Sequence, residues 1–287
     1  MISGEWTALG EVQYRKLHVY DLDWGEDEEC RLDRSITALA KYGGAIAMVR
    51  DETKVLKAPG EENGTPSLRV FSCSGRKLSE TLLRGPASSS AGGSIARERL
   101  FSMGWTDREM LIMVRERGGV EVRNLQGDLM RALSLMDESS LQSPTPEWVV
   151  ACEVWGDGVV ALLSSGRLSA IKGIHSSQPR CFRMTAGLAA REGPLTAMVV
   201  LEPQFTASGS LEVILATENG NAIGVDENGA EEHLLQEPLQ DPILKMAAAP
   251  NGRFLACFVR GGMLTVVSSN FATKVLLGGG GGGGEEP

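Results

Sequence analysis

A glycine-centred hairpin that returns along the chain restricts its fold more than any other feature. In its clearest copy, the apolar run Met110–Val114 stops at Arg115-Glu116-Arg117-Gly118-Gly119. Val120, Val122 and Leu125 then follow, with Glu121 and Arg123 between them. Two short strands across a glycine turn make a β-hairpin. Comparable inner turns stand at Gly119, Gly166, Gly220 and Gly262, separated by 47, 54 and 42 residues. That interval is close to the roughly 40–50 residues of a propeller blade. No long 3.6-residue apolar stripe separates the strands, so α/β alternation is excluded.

Around these turns the chain divides into four-stranded units. Ser35–Ala40, Ala45–Arg50, Leu68–Ser72 and Lys77–Leu83 make the first, with turns at Tyr42-Gly43-Gly44 and Ser74-Gly75. The second holds the opening hairpin, and Gln126-Gly127-Asp128 turns it into Leu129–Leu135. Trp148–Val154, Gly158–Leu163, Arg167–Ile171 and a strand near Cys181–Thr185 form the third. Leu195–Leu201, Leu211–Ala216 and Ala222–Val225 belong to the fourth, whose turns Asn219-Gly220 and Asn228-Gly229 accept positive φ. Ile243–Leu277 is the fifth, turning at Pro250-Asn251-Gly252-Arg253 and Gly261-Gly262. The expected architecture is an all-β propeller over 1–277, incomplete at five visible blades. The blades are placed at 35–84, 99–136, 148–185, 195–236 and 243–277.

The connecting stretches read differently. An amino-terminal strand is expected within 13–24, centred on Leu17–Leu22. Gly25–Asp33, an acidic run, reads as a solvated loop. Asp51–Pro66 is a charged insertion, Gly85–Ser94 is low-complexity, and 278–287 with Gly278–Gly284 is a disordered tail.

Composition removes several function classes. The net charge is −9 and no basic stripe exists. Nucleic-acid binding, which needs clustered Lys and Arg to displace counterions, is therefore not expected. Docking onto anionic lipid is unexpected for the same reason. Cys30, Cys73, Cys152, Cys181 and Cys257 are odd in number and scattered, with no CxxC, so they read as free thiols of a reducing compartment. The start shows no apolar signal core, and no run approaches a membrane span. A cytoplasmic chain is the expectation.

No motif carries chemistry. His18 alternates with Leu17 and Val19 and has no second ligand near it in sequence. Ser72-Cys73-Ser74-Gly75 and Ser164-Ser165-Gly166 are hairpin turns; a nucleophile elbow would need a following helix. Gly118-Gly119 and Gly261-Gly262 lack the spacing and helix start that phosphate binding requires. Gly278–Gly284 has no P-loop Lys-Ser/Thr. Glu26-Asp27-Glu28-Glu29 lacks the ligand alternation of a calcium loop. Trp24, Trp105 and Trp155 at strand edges read first as blade packing and second as interface anchors. Thr106-Asp107 reads as a turn that accepts hydrogen bonds. Catalytic, cofactor and metal residues are therefore expected to be none.

Several stretches, in order, resemble the amino-terminal propeller of the vacuolar protein sorting-associated protein 16 family, a class C vacuolar sorting subunit. Tyr14-Arg15-Lys16 with Val19-Tyr20 and Asp23-Trp24 matches the family's opening, and Tyr42–Arg50 follows it, although Ala45 stands where the family tends to have proline. Val70-Phe71-Ser72-Cys73-Ser74-Gly75 is similar to its third strand and turn. Ser102–Asp107 with Glu109 is similar to its second-blade entry, and Gly156–Leu163 is a looser match. The resemblance is useful over about residues 5–170 and thin beyond.

This resemblance implies a non-catalytic protein-interaction subunit of the HOPS and CORVET tethering complexes. Such a subunit acts in intracellular protein transport to the vacuole or lysosome, endosome maturation and membrane fusion. Its partners would be other class C vacuolar sorting subunits. The Sec1/Munc18-type subunit would bind only through an α-solenoid that this chain lacks, together with the later blades. Membrane association would be indirect, through the complex on late endosomes and vacuoles or lysosomes. The family's first strand can complete its last blade, so Leu17–Leu22 would lack a partner if the final blades are missing.

Two other readings compete. A scaffold propeller of another vesicle coat would show the same strand pattern. A propeller enzyme would need carboxylates or histidines converging on the axis. The first strands Ser35–Ala38, Phe101–Gly104 and Val150–Glu153 are nearly devoid of them.

Overall fold

The computed structural model describes residues 2–3, 15–21, 25–32, 36–39, 45–50, 67–72, 76–83, 99–136, 147–185, 193–235, 239, 241–249, 251–271 and 274–277. Nearly everything in it is antiparallel sheet. Strands β1 (Ile2–Ser3), β2 (Arg15–Asp21) and β3 (Gly25–Leu32) form a three-stranded sheet with β2 in the middle. Five four-stranded sheets follow among the described residues. Blade 1 is β4 (Ile36–Leu39), β5 (Ile46–Arg50), β6 (Ser67–Phe71) and β7 (Lys77–Leu82). Blade 2 is β8 (Leu100–Trp105), β9 (Leu111–Arg115), β10 (Gly119–Arg123) and β11 (Leu129–Ser134). Blade 3 is β12 (Val149–Trp155), β13 (Gly158–Leu163), β14 (Leu168–Lys172) and β15 (Arg180–Thr185). Blade 4 is β16 (Leu195–Leu201), β17 (Glu212–Thr217), β18 (Ala222–Asp226) and β19 (Glu231–His233). Blade 5 is β20 (Ile243–Ala248), β21 (Phe254–Val259), β22 (Leu264–Ser268) and β23 (Lys274–Leu277). In each blade the strands lie side by side in chain order.

The β2 and β3 pairing overturns two expectations. Gly25–Leu32 is a strand and not a solvated loop, and β2 has partners on both sides: Val19 stands opposite Ile2 and Glu28. Backbone pairing takes place regardless of side-chain polarity, and an edge position tolerates the charges of Glu26–Glu29. The expected turn Tyr42-Gly43-Gly44 lies outside the described residues. So do the insertion 51–66, the stretch 85–94, Cys73-Ser74-Gly75 and the tail.

The recurring turn has one geometry. Blades 2 to 5 place a glycine of positive φ at its fourth position: Gly118, Gly166, Gly220 and Gly262, with φ of 81, 79, 80 and 82°. Each donates to the carbonyl three residues back: Arg115, Leu163, Thr217 and Val259, at 2.9, 2.8, 3.1 and 2.9 Å. This is a type I turn closed by a left-handed residue, the bulged hairpin for which glycine is the least strained choice. In blade 2 the residue at that position is Gly118, and Gly119 already belongs to β10. The second turn residue then reaches across to the entrance of the same blade. The N–H groups of Glu116, Ser164, Glu218 and Arg260 donate to the carbonyls of Arg99, Trp148, Pro194 and Pro242 at 2.9, 2.8, 2.8 and 3.0 Å.

The chain divides into two compact units. One comprises residues 1–146, 154–158 and 173–179, and the other comprises 147–153, 159–172 and 180–287. In the first, the core between blades 1 and 2 gathers Ala47, Val49, Leu68 and Val70 with Met103, Trp105, Leu111 and Met113. Ser79 and Thr81 of β7 donate to the carbonyls of Leu125 and Gln126 in the turn after β10, at 3.0 and 3.3 Å. In the second unit, Val199, Leu201, Ile214 and Ala216 of blade 4 pack on Ile243, Leu255, Cys257, Val259 and Val267 of blade 5. These buried side chains of blades 4 and 5 are small and mostly aliphatic, so sheet packs on sheet there without a buried aromatic, whereas Trp105 fills part of the first core.

Candidate functional site

Among the described residues, the structure places several of the sequence-flagged ones in structural positions. Trp105 and Trp155 are buried, which settles the first reading of both. Thr106 is buried too; its hydroxyl accepts from the N–H of Met110 at 3.1 Å. The N–H of Asp107 donates to the Gly156 carbonyl at 3.0 Å. His18 lies in β2, opposite Ser3 and Glu29 in register. Trp24 lies outside the described residues. Ser164, Ser165 and Gly166 form one of the recurring turns. Cys152 is half-buried, Cys181 exposed and Cys257 buried. Desolvation pushes the thiols of Cys181 and Cys257 up, the latter to about 11. Among the described residues, no group of three or more His, Cys, Asp or Glu side chains is arranged to hold a metal ion.

Charges are instead spent on holding sheets together. Glu121 of β10 sits between two guanidinium groups. Arg115 donates Nε and Nη2 to Oε1 at 3.0 and 2.5 Å, and Arg123 donates Nε and Nη2 to Oε2 at 3.0 and 2.6 Å. Arg123 also donates Nη1 to the Gly127 carbonyl at 2.7 Å, which ties the carboxylate to the next turn. Burial alone would raise the Glu121 carboxyl, but the hydrogen bonds and charge of Arg115 and Arg123 outweigh it and hold the group below its ordinary value. Between blades 3 and 4, Glu227 accepts from Lys172 Nζ at 2.7 Å and from the Leu211 N–H at 3.2 Å. The bond from Lys172 is the main cause of that carboxyl's lowered value.

One surface stands out from this frame. Strand residues alternate between faces. Counting back from the recurring turn, Val114, Leu162, Ala216 and Phe258 occupy the same position in blades 2, 3, 4 and 5, and Ile112, Val160, Ile214 and Ala256 lie two residues earlier. The first three members of each series are buried. In blade 4 these residues, Ile214 and Ala216, are the ones that meet blade 5. In blade 5 the equivalent face is open: Phe258 is 44% exposed, Phe254 46% and Leu264 40%. Leu264 stands directly opposite Phe258, and Val266 opposite Ala256, so these side chains share one face. Lys245 stands opposite Phe258 on the other side. The result is an apolar sheet face with a cationic margin, the kind of surface that marks an interaction site. Leu78, Leu82, Leu129 and Met130 on the outer strands β7 and β11, and Trp148 before β12, are further exposed apolar side chains.

Sequence reasoning missed this face. Phe254–Val259 is apolar on both faces, which is the pattern of a strand buried twice over. The exposure of Trp148 has no sequence signal either, because it borders a strand just as the buried Trp105 and Trp155 do.

Comparison with known proteins agrees with this architecture. The family model described as "Vps16, N-terminal region" matches residues 2–277. Protein VACUOLELESS1 of Arabidopsis thaliana is 30% identical over 282 residues, covering 93% of this chain and 30% of that protein. The vacuolar protein sorting-associated protein 16 homolog of Dictyostelium discoideum is 27% identical over 280 residues, covering 95% and 30%. The chain thus spans about a third of the length of these relatives. Among solved structures, the β-propeller domain of Cps50 (Swd1) from Myceliophteria thermophila superposes with a TM-score of 0.51 at 15% identity. It covers 82% of this chain and 66% of that domain, a likeness of fold alone.

Proposed function

The chain belongs to the Vps16 N-terminal region family, and on that premise we propose that it is a non-catalytic interaction propeller of the HOPS and CORVET tethering complexes. Its relatives are vacuolar protein sorting proteins, and the match over residues 2–277 is the observation that carries the reading. The mechanism is geometric: stacked sheets hold loops and faces rigidly, and neighbouring subunits read them. The open face of blade 5, with Phe254, Phe258 and Leu264, supports a binding role.

The partners on this reading are other class C vacuolar sorting subunits. The Sec1/Munc18-type subunit is reached only through a helical solenoid outside residues 1–287, and association with late endosomal and vacuolar or lysosomal membranes is indirect. Among the described residues, no helix is long and apolar enough to cross a membrane. Residues 1–287, tagged and cross-linked in cells, should co-purify with class C vacuolar sorting subunits. Recovery of an unrelated coat complex would overturn the proposal. Tight direct binding of the purified chain to the Sec1/Munc18-type subunit would overturn its partner assignment.

A further inference from the structure

We draw no further inference here: the strongest candidate, the open apolar face of blade 5 formed by Phe254, Phe258 and Leu264, belongs to the site already described, and nothing in the structure shows what covers it.

Discussion

Gly229, in the turn between β18 and β19, passes so close to Met184 of β15 that a Cβ on it would overlap the Met184 carbonyl oxygen. Blade 4 can approach the outer strand of blade 3 this closely because the turn carries no side chain there. Gly229 also has a φ of 84°. Gly229→Ala therefore meets two costs: about 1–2 kcal/mol for a left-handed alanine and a further ~1–3 kcal/mol for overpacking. Gly262 separates these costs, since its φ is 82° but nothing lies within 4 Å of its Cβ position. Urea denaturation should show Gly229→Ala to be clearly more destabilising than Gly262→Ala. Equal losses would mean that the contact with Met184 is not tight.

A second comparison tests the open face. Ala216 and Phe258 occupy equivalent positions, one fully buried and the other exposed. Ala216→Asp would place an unpaired charge between blades 4 and 5, at a cost above about 4 kcal/mol. Phe258→Asp should change stability by no more than about 0.5 kcal/mol, as surface substitutions do, and should lower binding of a fluorescent apolar dye. Collapse of the Phe258→Asp variant would show that this face is packed.

Acid dependence follows from Glu121. Its carboxyl is held below the ordinary value of 4.5, so its contribution is complete above that pH and is lost as pH falls through the depressed native value. Glu121→Gln should cost about 1–3 kcal/mol at pH 7, because two largely buried guanidinium groups lose a charged acceptor. Its stability should also decline less steeply below pH 4.5 than that of the parent. Glu80 and Glu227, both lowered by their cationic partners, keep part of the acid dependence in place. Parallel stability–pH curves for the parent and the variant would argue against this role of Glu121.

Glu109 closes the turn between β8 and β9 with a φ of 56°, a place that glycine fills in the recurring turns. Its N–H donates to the Thr106 carbonyl at 3.1 Å, and its side chain is exposed. Glu109→Gly relieves about 1–2 kcal/mol of left-handed strain against the roughly 0.5–1 kcal/mol of extra chain freedom that glycine carries. A gain of about 0.5 kcal/mol is expected, read as a rise in melting temperature of one or two degrees. A fall would show that the Glu109 side chain makes a stabilising contact.

The parts of this fold that the sequence displays are those written in backbone chemistry specific to one residue type. Gly118, Gly166, Gly220 and Gly262 are visible because few other residues accept their conformation, and their spacing carries the blade repeat. Other parts have no such signature. β3 is hidden by its acids, and β19, Glu231-Glu232-His233, has no β-forming character. It exists because Ile223–Val225 offers it a backbone ladder. The 3-10 turn Pro203–Phe205 is likewise imposed by the connection it makes. The open face of blade 5 escapes notice for the opposite reason: Phe254 and Phe258 look as apolar as the buried residues between them, and sequence cannot say which neighbours arrive. At Glu121 the register brings Arg115 alongside across the hairpin, a meeting that spacing alone does not announce.

The blade corners have a consequence for how such a chain can change over generations. The two bonds that recur at these corners are drawn from main-chain atoms, so they do not dictate the second corner side chain, although the Ser164 hydroxyl also accepts from the Trp148 N–H and Arg260 pairs with Glu218. That second residue is Glu116, Ser164, Glu218 and Arg260 in successive blades: two acids, a hydroxyl and a cation at one geometric address. Mutation can change the side chain at this position of each hairpin while the recurring main-chain bonds stay in place. A sequence can thus drift at these positions, as far as the 30% identity seen with the Arabidopsis thaliana relative, without any change being demanded of the recurring corner bonds.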